Sequence, residues 1–183
     1  MIGYKLFRKK KNDNNIYPLY VLANKPTPIG VWLEAESGER TAKGKVKSRL
    51  GELAYRPGWH CSERPVATHI GEKENSKDKL PSYRAKDQVW CEVEVDDTID
   101  YQPLADKEGK SIRDKQLRYV PKNGFYRYKT NPNMFGVWII AGNIKVNRVL
   151  TDKEVMEINN SFGDDIQDLP RKNRFLLKKI IKK

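Results

Sequence analysis

The clearest hydrophobic pattern in the chain is the strict alternation of residues 88–95. Four apolar side chains share one side of this segment (Val89, Cys91, Val93 and Val95), and the other side carries Gln88, Trp90, Glu92 and Glu94. A period of two predicts a β-strand with one face in the core. Residues 136–141 are apolar without alternation, which predicts a central strand covered on both faces.

Weaker patterns predict further strands before and after this segment. Residues 4–8 and 17–22 are apolar runs around a charged, Asn-rich turn, which indicates a hairpin. Residues 29–36 and 144–150 are also strand-like. Residues 117–120 and 125–129 flank the dipeptide Asn123-Gly124, a strong hairpin signal.

Helical signals are few. Thr151 and Glu154 form a capping-box pattern, which predicts a helix that ends near Asn160. Residues 63–72 predict a short helix, with Pro65 tolerated in its first turn. Because no long helix separates the strands, the sheet should be antiparallel or mixed, and the fold class α+β.

Two polar segments, near residues 37–49 and 73–86, are predicted as insertions into a single α+β domain spanning residues 1–163. Residues 164–183 are predicted to be a linker and a basic amphipathic helix. In that helix Leu176 and Ile180 share one face. The tail from Arg171 onward contains seven basic side chains and no acidic one.

The overall charge favours a polyanionic partner. The 183 residues include 36 Lys and Arg against 24 Asp and Glu, a net charge of +12. No apolar run is long enough for a membrane span, and the start of the chain lacks the apolar core of a signal peptide. We therefore expect a cytoplasmic protein, in the host cytosol if phage-encoded, whose partner is a nucleic acid or a host nucleoprotein.

Aromatic and basic side chains alternate in residues 125–129, a pattern suited to stacking on unpaired bases while cations hold phosphates. The alternative is a strand with one face in the core. The predicted nucleic-acid contacts lie in this segment and in the two basic ends of the chain: Arg8, Lys9, Lys10, Lys11, Tyr126, Arg127, Tyr128, Lys129, Arg171, Lys172, Arg174, Lys178, Lys179, Lys182 and Lys183.

Residues that could carry chemistry cluster after the turn Pro57-Gly58. His60 and His69 could act as an acid–base pair, as in a metal-independent ribonuclease, with Arg56, Arg64 or Lys73 holding an anion. The alternative is two structural histidines. The spacing of His60, Cys61, His69 and Cys91 does not fit zinc, so we predict no metal and buried thiols. Motifs for binding nucleoside triphosphates are absent.

The order of four motifs resembles a group of small bacteriophage and prophage proteins. These motifs are residues 4–8, residues 56–61 (RPGWHC), residues 89–95 and residues 137–146. The resemblance covers about the first 150 residues, with the two polar segments as insertions. It implies an accessory protein, for which inhibition of a host defence system would be a natural use.

The same order is more distantly similar to the ADP-ribosyltransferase fold, which uses NAD. The resemblance implies a pocket in which Arg8 holds the dinucleotide and Ser62 shapes the site, with His60 beside them. The glutamate of that family has no counterpart, since residues 131–137 contain no carboxylate. Without it the transfer reaction loses the group that polarises the ribose.

Three functions follow from the sequence. The leading one is a phage-type accessory protein that binds nucleic acid, RNA in preference to DNA, or a host nucleoprotein, and needs no cofactor. The alternative is an enzyme of the ADP-ribosyltransferase type, with NAD as cofactor and Arg8, His60 and Ser62 as catalytic residues. The third is a structural or protein-binding module.

Overall fold

The computed structural model describes residues 1–67, 84–109, 116–129 and 137–162, and these form an α+β fold, as predicted. The strands are β1 (Ile2–Lys9), β2 (Ile16–Tyr17), β3 (Trp32–Glu34), β4 (Val46–Ser48), β5 (Gly51–Leu53), β6 (Trp59–Ser62), β7 (Gln88–Val95), β8 (Ile99–Asp100), β9 (Gly124–Tyr128), β10 (Trp138–Ala141) and β11 (Asn143–Val149). The helices are α1 (Gln102–Glu108) and α2 (Asp152–Ser161).

Nine of these strands make one mixed sheet in the order β3-β11-β7-β1-β6-β10-β9-β8, with β2 paired to β1. Neighbouring strands are antiparallel, except that β8 and β9 are parallel. Strands β4 and β5 form a separate hairpin. The predicted class of a mixed sheet with a few short helices is therefore confirmed.

The sheet curls over on itself. Strands β10 and β11 are joined by Gly142 alone, yet three strands lie between them in the sheet order. In a flat sheet they would be roughly 19 Å apart, whereas two residues of chain span about 7 Å. The Trp59 indole of β6 accordingly donates a hydrogen bond to the Leu33 carbonyl oxygen of the edge strand β3, at 3.0 Å.

Gly142 is required at this crossing because there is no room for a side chain. A Cβ atom there would lie 2.1 Å from the carbonyl oxygen of Pro121. The backbone N–H of Gly142 donates to the carbonyl oxygen of Gly124 at 2.9 Å. The close approach of two backbones thus fixes the point where the chain passes from one half of the sheet to the other.

The curl produces two apolar cores, one on each face of the sheet. The inner one includes Phe7, Cys61, Cys91, Val93, Val95, Ile139, Ile144 and Val146. The outer one includes Leu6, Leu19, Trp90, Tyr126, Trp138 and Ile140, together with Ala105 of α1 and Val155 of α2. The alternation of β7 is confirmed, because its odd positions face the inner core. The apolar run of β10 is also confirmed, because both of its faces are covered.

The hairpin prediction around Asn123-Gly124 is wrong. Strand β9 pairs with β10 and β8, and residues 117–120 form no strand. Asn123 does adopt a turn conformation, with φ +54°. Gly124 is needed for another reason: a Cβ atom there would lie 2.1 Å from the Ile99 carbonyl oxygen of β8.

Three other boundaries differ from the predictions. The loop predicted over residues 37–49 contains β4, and the strand predicted over residues 17–22 stops after Tyr17, because Pro18 lacks a donor for the ladder. Residues 63–67 are not helical, and residues 68–72 lie outside the described residues.

The capping box of α2 is confirmed. The Thr151 hydroxyl accepts from the Glu154 backbone N–H at 3.3 Å, and the Glu154 carboxylate accepts from the Thr151 N–H at 2.8 Å. The helix ends at Ser161, one residue from the prediction. The insertion predicted near residues 73–86 falls largely, and the tail from residue 164 entirely, outside the described residues.

Candidate functional site

A cavity of about 640 Å³ lies where β1 and β6 separate. These two strands pair only at Tyr4 and Ser62. In the same register Leu6 would face His60, but the strands have parted there and both residues line the cavity. The remaining walls come from residues 18–28, 33–37 and 50–58 and are mostly apolar. A cavity of this size is typical of a small-molecule site.

Lys5 places an ammonium group on the wall of this cavity. Its Nζ donates to the carbonyl oxygen of His60 at 2.9 Å and lies 5.3 Å from the Trp59 ring centroid and 5.5 Å from that of Phe7. No ion pair to Lys5 exists within the described residues. Removal from bulk water lowers the pKa of Lys5, because the charged form loses hydration without gaining a counter-charge.

His60 lines the same cavity as a neutral imidazole. Its Nε2 lies 2.9 Å from the carbonyl oxygen of Arg56 and must carry the proton, since a carbonyl can only accept. Burial lowers the pKa of His60 to about 4, and the positive charges of Lys5 and Arg56 act in the same direction. The Nδ1 atom is therefore left as an acceptor at neutral pH.

Arg56 and Tyr128 also line the cavity, as do Lys25, Glu34 and Glu36. The Arg56 guanidinium lies 5.0 Å from the centroid of the Tyr128 ring, and its Nε donates to the Gln116 side-chain oxygen at 2.7 Å. The Tyr128 hydroxyl is buried and has no hydrogen-bond partner within the described residues. The cavity thus combines mostly apolar walls with the cations Lys5 and Arg56, whereas Lys25 pairs with Glu36. This set is suited to an anionic group on an apolar body.

The sequence hypothesis named His60, and Arg56 as a group that could hold an anion, and both line this cavity. It missed Lys5 and assigned Tyr128 to base stacking. A signal for Lys5 was present, because it shares one side of β1 with Gly3 and Phe7. If Gly3 and Phe7 face the core, Lys5 between them faces it too and is expected to be at least partly buried. Because β1 has apolar residues on both of its sides, the sequence alone did not show which side faces the core.

The three predicted catalytic side chains do not meet. Ser62 is 4% exposed, and its hydroxyl lies within hydrogen-bond distance of the carbonyl oxygens of Arg64 (2.6 Å) and Tyr4 (3.2 Å). Arg8 donates to the carbonyl oxygen of Ala23 at 2.7 Å. Neither residue is among those that line the cavity with His60. Both side chains thus contact backbone carbonyl oxygens.

The predicted stacking groups are also placed differently. Tyr126 is fully buried and Tyr128 is 4% exposed, so neither ring can stack on a base in this conformation. Burial raises the pKa of Tyr126 to about 12. The structure thus corrects the stacking hypothesis in favour of its alternative, with the rings in the core. Arg127, between them, is exposed and pairs with Glu63 at 3.3 Å. Lys129 is half-buried.

Both cysteines are free and buried, as predicted. Burial raises the pKa of Cys61 to about 11 and that of Cys91 to about 12, so both thiols stay protonated at neutral pH. Within the described ranges no group of His, Cys, Asp and Glu side chains is arranged to hold a metal ion. His69 lies outside those ranges.

The second candidate site is a basic hairpin formed by the end of β1 and the turn before β2. Lys9 and Lys11 are exposed, and Lys10 Nζ lies 4.0 Å from the centroid of the Tyr17 ring. In the part of the chain that the structure describes, none of these three lysines forms an ion pair. Their charges are therefore available to a partner.

A second basic segment, residues 40–49, lies near this hairpin. Arg49 Nε donates to the Leu19 carbonyl oxygen at 3.2 Å, and Arg8 bonds to Ala23, so both segments are tied to the same stretch of backbone. Residues 1–67 contain 13 basic and 6 acidic side chains, whereas residues 84–109 contain 3 basic and 8 acidic. Residues 116–129 contain 4 basic and no acidic side chains, so the excess positive charge of the described fold lies in this segment and in the N-terminal part. The basic tail from Arg171 lies outside the described residues.

In comparisons with protein-family models, curated proteins and solved structures, neither a family, nor a curated relative, nor a structural neighbour matched this chain. Among the described residues, neither helix has the length and apolar character needed to cross a membrane.

Proposed function

We propose that the protein binds nucleic acid through phosphate contacts made by its basic hairpin, as an accessory protein of the phage type. The observation that carries the proposal is the run Lys9, Lys10 and Lys11, three cations without an ion pair in the described structure. Some cations elsewhere in the described fold are neutralised, since Arg84 pairs with Asp152 and Lys145 with Glu94, but Lys9, Lys10 and Lys11 are consecutive in the chain. Unpaired surface cations are the groups that bind phosphates.

The structure alters the form of the interaction that the sequence suggested. Since Tyr126 and Tyr128 lie in the core, the contacts are made by charge rather than by stacking on bases. Phosphate contacts carry no sequence information by themselves, so we expect weak sequence preference and strong salt dependence. A host nucleoprotein with accessible phosphates would be bound in the same way.

The test is a salt titration of the affinity for a fluorescent single-stranded RNA and for DNA of the same sequence. Simultaneous Lys9→Gln, Lys10→Gln and Lys11→Gln should lower the slope of log K against log salt by about 2, since each phosphate contact on a single strand contributes about 0.7. The matched control removes the same charge at Lys107, Lys122 and Lys153. An affinity that is absent, or equal slopes for the two triple variants, would refute the role of the hairpin.

A further inference from the structure

The cavity between β1 and β6 shares no lining residue with the run Lys9, Lys10 and Lys11, and Lys5 in its wall keeps hydrogen-bond donors that the described residues do not use. Lys5 Nζ has three N–H donors, and the described structure uses one of them for the carbonyl oxygen of His60. A cation with unused donors on a cavity wall can form charge-assisted hydrogen bonds to an anionic ligand.

The positive charge of Lys5 is also not balanced by a negative group among the described residues. Its neighbours from β6 and β7 are the thiols of Cys61 and Cys91, which remain neutral, and the imidazole of His60, which is neutral as well. Two carboxylates line the cavity, those of Glu34 and Glu36, but both are exposed, and Glu36 pairs with Lys25. No carboxylate within the described residues neutralises Lys5.

We propose that this cavity binds a small organic anion, a carboxylate carried on an apolar body, with the carboxylate oxygens accepting hydrogen bonds from Lys5. The apolar walls, which include Leu6, Leu19, Leu33, Trp59 and Trp138, enclose the body of the ligand. A carboxylate supplies the counter-charge that Lys5 lacks within the described residues, and a partly buried pair attracts more strongly than a pair in bulk water. Burial of the apolar body adds affinity in proportion to the area removed from water.

The test uses a matched pair of probes, 2-naphthoate and 2-naphthylmethanol, which share a body and differ in charge. Calorimetric titration of the full chain should give at least about 10-fold tighter binding of the carboxylate, the contribution of one charge-assisted hydrogen bond. Lys5→Met should abolish this preference and leave the affinity for the alcohol within about twofold. Lys9→Met, four residues along the same strand, should retain it.

Three results would overturn the proposal: no binding of either probe, equal affinity for both, or a preference that survives Lys5→Met. If Lys5→Met does not fold, lysine acetylation of the wild-type chain, read by mass spectrometry, replaces it. Saturating 2-naphthoate should then slow the modification of Lys5 and leave that of Lys9 unchanged. An unprotected Lys5 would be equally decisive against the site. The triple variant of the basic hairpin should bind 2-naphthoate normally, which separates this proposal from the function proposed above.

Discussion

Lys5 and Lys9 lie on the same strand, four residues apart, and differ in almost every physical property. Lys9 is exposed, whereas Lys5 is surrounded by Phe7, Trp59 and the inner core, and its pKa is lowered. The difference shows that the sheet, not the residue type, decides what a cation can do. At the open end of β1 a lysine attracts phosphates through solvent, and at the covered centre it can select an anion by desolvation.

The largest expected effect is on the salt dependence of nucleic-acid binding. Deletion of residues 171–183 removes seven cations and should lower the salt slope of nucleic-acid binding by up to about 5. The same deletion should leave the affinity of the cavity for 2-naphthoate within about twofold, since a buried pair is poorly screened. Parallel titrations from 50 to 200 mM salt measure both quantities. If the deletion weakens both kinds of binding equally, the two regions are not separate sites.

A second prediction concerns the pH dependence of stability at the cavity. The pKa of His60 is about 4 in the folded protein and 6.5 in the unfolded chain. Between these values the unfolded state binds more protons, so stability rises with pH across this window and is lost as pH falls through it. The loss should amount to about 2 to 3 kcal/mol at pH 4.

Urea unfolding of wild type and His60→Gln at pH 7, 5.5 and 4.5 measures this contribution. The two proteins are compared by how steeply the free energy of unfolding changes with pH. The comparison is needed because carboxylates also reduce stability in acid. One of them is Glu154, whose pKa is lowered to about 2 by hydrogen bonds from Thr151 and Arg148. If the free energy of unfolding falls equally with pH in both proteins, His60 is not the source of the loss of stability in acid.

The smallest expected effect is on stability at neutral pH. Lys5→Met replaces a desolvated amine by an apolar side chain of similar length and should raise the free energy of unfolding by about 1 kcal/mol. Lys9→Met should change it by less than about 0.5 kcal/mol, because Lys9 is exposed. Chemical denaturation at pH 7 compares the two. A clear loss of stability in Lys5→Met would mean that its hydrogen bond to the His60 carbonyl outweighs the cost of desolvation.

Much of the secondary structure could be predicted because the signals were local. The alternation of β7, the apolar run of β10 and the capping box at Thr151 each follow from a few neighbouring residues. The Asn123-Gly124 dipeptide marked a real turn but not a hairpin. The partners of β9 are distant in sequence, and the glycine serves the close approach of β8.

The site was predicted only in part for the same reason. His60 stood out as one of two histidines, but its cavity partners Lys5, Arg56 and Tyr128 come from three separate parts of the chain. A strand pattern shows which side chains share a face, and it does not show which face is covered. Tyr126 and Tyr128 were therefore open to two interpretations, and their burial follows from packing on the outer face of the curled sheet.

By itself, the sequence determined the α+β class, the positions of the main strands and of α2, and an excess of positive charge at both ends of the chain. These depend on local periodicity and composition. The tertiary structure alone decided that β1 parts from β6 after a single pair, that the gap becomes a cavity and that Lys5 lies in its wall. These features follow from the curl of the sheet. The curl covers Lys5 of β1 and leaves Lys9 of the same strand exposed.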